Sequence, residues 1–169
     1  MSRRTRGVVV SLALVGTTAL TGCSSGGSPG GSAVQVDVPP LPAAAAGTCR
    51  ALVTDLPERL ARQTARPVTP GDAPAAAWGD PAITLTCGAD VPREFNRFSS
   101  CVQANGVGWF VPQAQQQDQS ADVTWTAVGY RPVVTVHVPA GYRPEGAAAV
   151  IAELAPLVKH HLRLVRPCR

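Results

Sequence analysis

Alternation of apolar and polar residues predicts four short β-strands in the second half of the chain. Ile83, Leu85 and Cys87 alternate with two threonines, which puts one face of the segment in a core and the other towards solvent. The same two-residue period recurs over three later segments, 107–111, 123–127 and 134–138. Residues 129–132, Gly-Tyr-Arg-Pro, are typical of a hairpin connection between the last two strands.

The segments before and after these strands have apolar residues at helical spacing. Leucines at four-residue spacing predict a helix from about Cys49 that restarts at Pro57. Apolar residues at helical spacing predict a second helix from about Pro144 to about Arg163, with a kink at Pro156. The order helix, four strands, helix predicts an α+β fold. We expect a two-layer sandwich of about four mostly antiparallel strands, with the N- and C-terminal helices on one face.

The start of the chain has the features of an export signal. A basic segment at 2–6 precedes an apolar run at 7–19 that is short for a membrane span. Leu20-Thr21-Gly22-Cys23 then resembles the bacterial lipobox, whose Cys thiol is acylated and becomes the first residue after cleavage. Two acyl chains anchor a protein stably. We therefore predict a lipoprotein signal peptide at 1–22 and a lipid anchor at Cys23; a plain secretory signal is the alternative.

A linker follows the predicted anchor. Residues 24–48 are rich in Gly, Ser, Pro and Ala, and the random-coil rule gives such a segment a reach of about 25–30 Å. The predicted organisation is a signal peptide at 1–22, the lipid-anchor Cys and tether at 23–48, and one globular domain at 49–169. We expect the domain to lie at the extracytoplasmic face of the cell membrane.

Composition and charge narrow the classes of partner. Of the 169 residues, 45% are hydrophobic and 15% charged, and with 16 Gly and 16 Pro the chain is not a coiled coil. The net charge of +4 falls to +1 without residues 1–22, because three arginines lie in the signal. No basic patch with interleaved aromatic residues remains, so we do not expect a nucleic-acid partner.

Four cysteines remain once Cys23 is assigned to lipid. An exported chain meets an oxidising environment, so two disulfides are expected, and three pairings are possible. We favour Cys87–Cys101, which closes a short loop worth about 3 kcal/mol, and Cys49–Cys168, worth about 4–5 kcal/mol. The spacing of the cysteines does not match that of zinc ligands, and we expect neither metal nor cofactor.

Catalytic motifs are not evident. Ser99 or Ser100, His137 and Asp122 supply the residue types of a Ser-His-Asp triad, but no G-x-S-x-G elbow accompanies them. The adjacent pair His160-His161 diverges by about 100° on a helix, so the two residues do not share a metal ion. Basic residues of this kind suit the last turn of a helix. We assign no catalytic residue.

Two aromatic segments are candidates for a binding surface: Trp78 with Asp80, and Asn105 with Trp109. Aromatic side chains beside Gly and Asp are common anchors of recognition sites. The alternative, which we favour, is that Gly79 and its neighbours shape a turn and the tryptophan covers the core.

The motifs taken together resemble a known family. After the lipobox Cys23 come Cys-x-x-Leu-x-x-x-Leu-Pro-x-x-Leu (49–60), Ala-Trp-Gly-Asp-Pro (77–81), Leu-x-Cys-Gly (85–88) and Asn-Gly-Val-x-Trp (105–109). This combination is similar to the actinobacterial lipoprotein family known as domain of unknown function 3515, over most of residues 49–169. The resemblance implies an envelope location and disulfides, and it carries no established activity or catalytic residue.

These observations favour a membrane-anchored cell-envelope lipoprotein that acts as a non-enzymatic binding or assembly factor. Its expected partners are the membrane, through the lipid on Cys23, and a cell-envelope protein or wall component. The alternative is a small envelope enzyme that acts on cell-wall material. A concave pocket joining His137 to two acids would favour the enzyme, and an exposed apolar patch around Trp78 and Trp109 would favour binding.

Overall fold

The computed structural model describes residues 31–144 and 146–169, and the predicted signal peptide and Cys23 lie outside them. The described residues include three α-helices, α1 (Ala43–Thr54), α2 (Gln113–Gln117) and α3 (Ala147–His161). A short 3₁₀ helix, Ala140–Tyr142, precedes α3. No helix in this part of the chain is long and apolar enough to cross a membrane.

The same residues include twelve short strands: β1 (Val34–Gln35), β2 (Arg59–Leu60), β3 (Gln63–Arg66), β4 (Val68–Thr69), β5 (Ala75–Trp78), β6 (Ile83–Cys87), β7 (Val102–Ala104), β8 (Val107–Trp109), β9 (Val123–Thr126), β10 (Tyr130–Arg131), β11 (Val134–Val138) and β12 (Arg163–Leu164). Six of them form one antiparallel sheet in the order β2-β3-β5-β6-β11-β9. Three two-stranded sheets complete the fold: β1 with β4 in parallel, and β7 with β8 and β10 with β12 antiparallel.

The predicted α+β class and mostly antiparallel pairing are confirmed, whereas the count of about four strands and the simple sandwich layout are wrong. β5 was missed because three alanines precede its Trp, so the pattern lacks contrast between the two faces. β3 was missed because Gln63 and its neighbours are mostly polar.

The predicted strands at 83–87 and 134–138 are β6 and β11, with the expected bounds. They pair antiparallel with His137 opposite Thr84, and their residues alternate between buried and half-buried. β9 pairs with the other edge of β11, so the predicted hairpin between the last two strands is present, with β10 inside its connection.

One core joins the sheet to two helices. Leu52 of α1 and Ile151 and Leu154 of α3 are fully buried in the same cluster as Leu85 and Val136 of the sheet. α1 and α3 also contact each other. Apolar burial of this kind is the main stabilising term for a domain of this size.

The helix bounds differ from those predicted. α1 begins at Ala43 rather than Cys49, because the alanine run assigned to the tether has high helix propensity. The helix does not restart at Pro57, since β2 follows instead. The polar segment between the predicted strands at 107–111 and 123–127 contains α2.

Part of the predicted tether packs against the domain. β1 pairs with β4, and Val36 beside it is 8% exposed. Arg66 Nη2 donates a hydrogen bond of 2.7 Å to the carbonyl oxygen of Ser32. The chain is therefore held against the sheet well before the predicted domain boundary.

The two disulfides are Cys49–Cys87 and Cys101–Cys168, so the expected pairs Cys87–Cys101 and Cys49–Cys168 are wrong. Cys49 lies on the buried face of α1, which packs over the end of β6 at Cys87. The C-terminal segment runs beside the β7–β8 hairpin, where Gln103 Nε2 donates to the carbonyl oxygen of Cys168 at 2.7 Å. Sequence separation alone could not reveal either contact.

Replacing Cys101 and Cys168 together by Ser should lower the free energy of unfolding by about 4 kcal/mol, because the disulfide closes a long loop in the unfolded chain. Chemical denaturation of the oxidised protein measures this loss. Peptide mapping without reduction should recover only the two observed pairs, and a Cys87–Cys101 peptide would contradict the structure.

Candidate functional site

The two predicted tryptophan anchors are in the core. Trp78 is 1% exposed and Trp109 is 0% exposed. Trp78 Nε1 donates to the carbonyl oxygen of Pro57 at 2.9 Å, which satisfies its one polar group. The prediction that they form part of a binding surface is therefore wrong; Trp78 fills the core, as in the alternative, and Trp109 is buried as well.

Asp80 and Asn105 are exposed, but each serves a local structural role. Asp80 lies 3.5 Å from Arg66 Nη1 and its side chain is 88% exposed. Asn105 opens the β7–β8 turn with a φ of 47°, and Gly106 follows at 82°, as in a tight Asn-Gly hairpin. Asn105 Nδ2 donates to Ala152 and its carbonyl oxygen accepts from Lys159 Nζ, both at 2.8 Å, which ties the turn to α3.

The structure brings together two members of the imagined Ser-His-Asp triad. His137 Nε2 lies 3.3 Å from Asp122 Oδ2, and His137 Nδ1 lies 3.5 Å from Thr124 Oγ1. The two side chains are open to water, with His137 41% and Asp122 56% exposed. Ser99 and Ser100 are not part of this group; they line a groove elsewhere.

That groove is the candidate functional site, and we call it the Phe98 groove. It has a volume of about 630 Å³ and runs between the loop at 94–100 and the start of α2. Phe98 is 81% exposed at its edge. Phe110, Val111 and Pro112 contribute apolar surface to its lining.

The polar lining of the Phe98 groove consists of hydroxyl and amide groups with one carboxylate. They belong to Asn96, Ser99, Ser100, Gln113, Gln116 and Glu94. None of the residues that line the groove is Lys or Arg. Small numbers of such groups on an apolar surface fix the orientation of a ligand.

A tight turn presents the Phe98 ring. Asn96 Oδ1 accepts from Phe98 N at 2.9 Å, and Ser99 Oγ accepts from Asn96 N at 3.0 Å. The Arg97 guanidinium lies 4.6 Å from the Phe98 ring centre, within range of a cation–π interaction. Below them, Phe95 packs edge-on against Phe110 at 5.2 Å between ring centres and holds the loop to the domain.

Arg143 fixes the opposite wall of the groove. Its Nη1 donates to the carbonyl oxygens of Asp118 and Ala121 at 2.8 Å, and its Nη2 donates to that of Gln115 at 2.9 Å. The side-chain hydroxyl of Ser120, and then its backbone N–H, donate to Asp118 and lower the pKa of that carboxyl. Asp118 is therefore anionic at neutral pH, at the end of α2.

Within residues 31–144 and 146–169, no cluster of three His, Cys, Asp or Glu side chains is arranged to hold a metal ion. The pair His160-His161 lies in the last turn of α3, as expected, and His161 Nε2 lies 2.8 Å from Asp55 Oδ2.

One feature of the sequence indicates the Phe98 groove, although the alternation of apolar and polar residues does not. Phe98 stands in a polar loop, flanked by Asn96 and by two serines, where a large apolar side chain has no strand or helix face to join. The Asn105-Gly106 pair was likewise a hairpin signal, since both positions require a positive φ.

Replacing Arg143 by Lys should loosen the segment 113–122, because one ammonium cannot reproduce the fork that reaches three carbonyl oxygens. Hydrogen exchange should show faster amide exchange in this segment and little change in β6. An exposed control, Arg93→Lys, should leave both unchanged. Equal protection in the Arg143 variant and the parent chain would show that the fork does not hold this wall.

Comparison with known proteins identifies the family and no closer relative. Neither the curated proteins nor the solved structures include a match to this chain. The resemblance seen in its motifs is confirmed at the level of the family, which has no assigned activity. The chain belongs to the family described as "Protein of unknown function (DUF3515)", which matches residues 8–166.

Proposed function

We propose that this protein is a membrane-anchored cell-envelope lipoprotein that acts as a non-enzymatic binding or assembly factor. The Phe98 groove is the observation that carries this proposal. Its open shape, exposed aromatic ring and convergent hydroxyl and amide groups have the composition of ligand sites. An aromatic side chain at the mouth of such a groove is a common energetic anchor.

The lining of the groove favours a neutral, polar ligand. It offers apolar rings for contact and hydroxyl and amide groups for hydrogen bonds, with Glu94 as the one charged residue. A phosphate-rich or acidic ligand would meet no cationic lining residue. A glycan strand of the cell wall has the matching chemistry, with apolar ring faces and many hydroxyl groups.

Anchoring follows from the lipobox-like segment that ends at Cys23. The support is the order of basic, apolar and small residues before this Cys, followed by the Gly- and Ser-rich segment. Residues 24–33 then separate the proposed anchor from β1, where the chain joins the sheet.

Replacing Cys23 by Ala should abolish incorporation of labelled fatty acid and move the protein out of the membrane pellet, because the acceptor thiol is lost. Cell fractionation and metabolic labelling measure the two effects. The neighbouring Ser24→Ala variant keeps the thiol and should stay in the pellet. Fatty acid on the Cys23 variant would refute the proposed anchor.

Replacing Phe98 by Ala should reduce retention on purified cell wall at least about fivefold, since it removes the aromatic anchor of the groove. The ring is exposed, so the melting temperature should change little. Val102→Ala, at a 40% exposed position on β7, is the matched control. Co-sedimentation measures retention, and equal retention of both variants would contradict the role of the groove.

A small envelope enzyme acting on wall material is the second candidate, and the His137–Asp122 contact is the observation that favours it. The imidazole would serve as a general base held by the carboxylate. The same co-sedimentation samples discriminate the two candidates if the wall material is also assayed for released fragments. Release by the parent chain that is lost in His137→Ala and kept in Phe98→Ala would favour the enzyme.

A further inference from the structure

A second cavity, which we call the arginine cavity, lies where the start of α1 approaches the β10–β12 sheet. Its volume is about 360 Å³. It is lined by the first turns of α1 and by basic residues: Ala44, Ala45, Thr48, Arg131, His161 and Arg163. None of the residues that line it is Asp or Glu. The charged lining residues of this cavity are therefore basic, whereas the one charged lining residue of the Phe98 groove is the acid Glu94.

The strand register places two arginines opposite each other. Arg131 of β10 is paired directly with Arg163 of β12. Like charges directly opposite each other on neighbouring strands are destabilising. An anion bound between the two guanidinium groups would convert this repulsion into two attractive contacts.

Both arginines are on segments that are fixed before any ligand arrives. Arg131 Nη1 donates to the carbonyl oxygens of Val128 and Tyr130, at 2.9 and 2.7 Å, which orients the guanidinium. Val165 N donates to the carbonyl oxygen of Gly129 at 2.9 Å and holds β12 beside β10. Prior orientation lowers the entropic cost of binding.

The beginning of α1 adds positive potential to the same cavity. α1 starts after Pro42 with no side-chain cap and no acidic residue in its first turn. The unpaired N–H groups and the dipole of a helix N-terminus favour an anion. In this cavity, the positive potential of the helix N-terminus adds to that of the two guanidinium groups.

His161 also lines the cavity. Its side chain is 11% exposed, and its Nε2 lies 2.8 Å from Asp55 Oδ2. Asp55 is not among the lining residues of the cavity, and its carboxylate positions the imidazole.

We infer that the arginine cavity binds a phosphate group. The planar guanidinium fork matches the oxygens of a phosphate in pairs, and Thr48 adds a hydroxyl. The phosphate belongs either to a lipid head group or to a soluble phosphate ester. The head-group source rests on the proposed anchoring, which would hold the domain close to a membrane surface. The site itself does not depend on that proposal.

The test uses the full chain with Cys23→Ala, so that an acyl group contributes nothing. Calorimetric titration with glycerol 3-phosphate at constant ionic strength measures the soluble arm. Co-sedimentation with phosphatidylglycerol vesicles, against phosphatidylcholine vesicles, measures the lipid arm. Arg163→Gln and Arg131→Gln should each weaken binding about tenfold. Arg59→Gln removes one exposed charge on β2 and should leave binding unchanged.

Each outcome decides one question. Binding to phosphatidylglycerol vesicles that glycerol 3-phosphate displaces supports the cavity and the head-group source. Binding of glycerol 3-phosphate alone supports the cavity and assigns a soluble ester. Binding in neither arm, or equal loss in Arg59→Gln and Arg163→Gln, overturns the site.

Circular dichroism of every variant separates loss of binding from loss of fold. Arg163→Lys should show an intermediate loss of binding, because lysine keeps the charge without the fork. Retention of the Cys23 variant in cell membranes bears only on the anchor.

Discussion

Both candidate ligand sites depend on the covalent and hydrogen-bonded attachment of the C-terminal segment to the β7–β8 hairpin. The Cys101–Cys168 disulfide ends the loop that carries Phe98, and it also fixes the segment that carries Arg163. Gln103 Nε2 bonds the carbonyl oxygen of Cys168, and Cys101 N bonds that of Arg169. Gly108 lies so close to the Cys168 carbonyl that a Cβ would collide with it. Without this attachment the segment after β12 would lose its contact with the β7–β8 hairpin, and the Phe98 loop would lose one of its fixed ends.

The central sheet was predictable because its chemistry is local. β6 and β11 alternate with a clear contrast between apolar and polar residues, so their faces and bounds follow from the sequence. The disulfide pairing was not predictable, because it depends on which elements meet in space. Cys49 lies on the same buried face of α1 as Leu52, and that face meets the end of β6. A tether assigned to residues 24–48 hides this relation, since its last six residues belong to the helix.

The candidate sites show the same difference between features set by local sequence and features set by contacts of distant segments. A tryptophan beside Gly and Asp suggests a surface anchor, but Trp78 is in a strand whose other residues are alanines, and its large side chain fills the core they leave open. Phe98 has no such strand and remains exposed. The pairing of Arg131 with Arg163 joins residues 32 positions apart in the sequence, and no periodicity within either segment predicts it. Local patterns therefore predict which residues are buried in regular elements, whereas the sites arise where distant segments meet.

The distribution of charge gives the two proposed sites different ligands. The chain beyond Cys23 is nearly neutral overall, yet its acidic residues end at Glu153, while Lys159, Arg163 and two further arginines follow. The basic end supplies Arg163 to the arginine cavity, and the Phe98 groove is lined by separate segments that contribute hydroxyl and amide groups. Since one disulfide connects the two segments, their relative position is fixed by covalent structure. A protein that holds a phosphate group at one site and a neutral polar ligand at the other brings both to a defined separation, and this is the property that an assembly factor at a membrane surface requires.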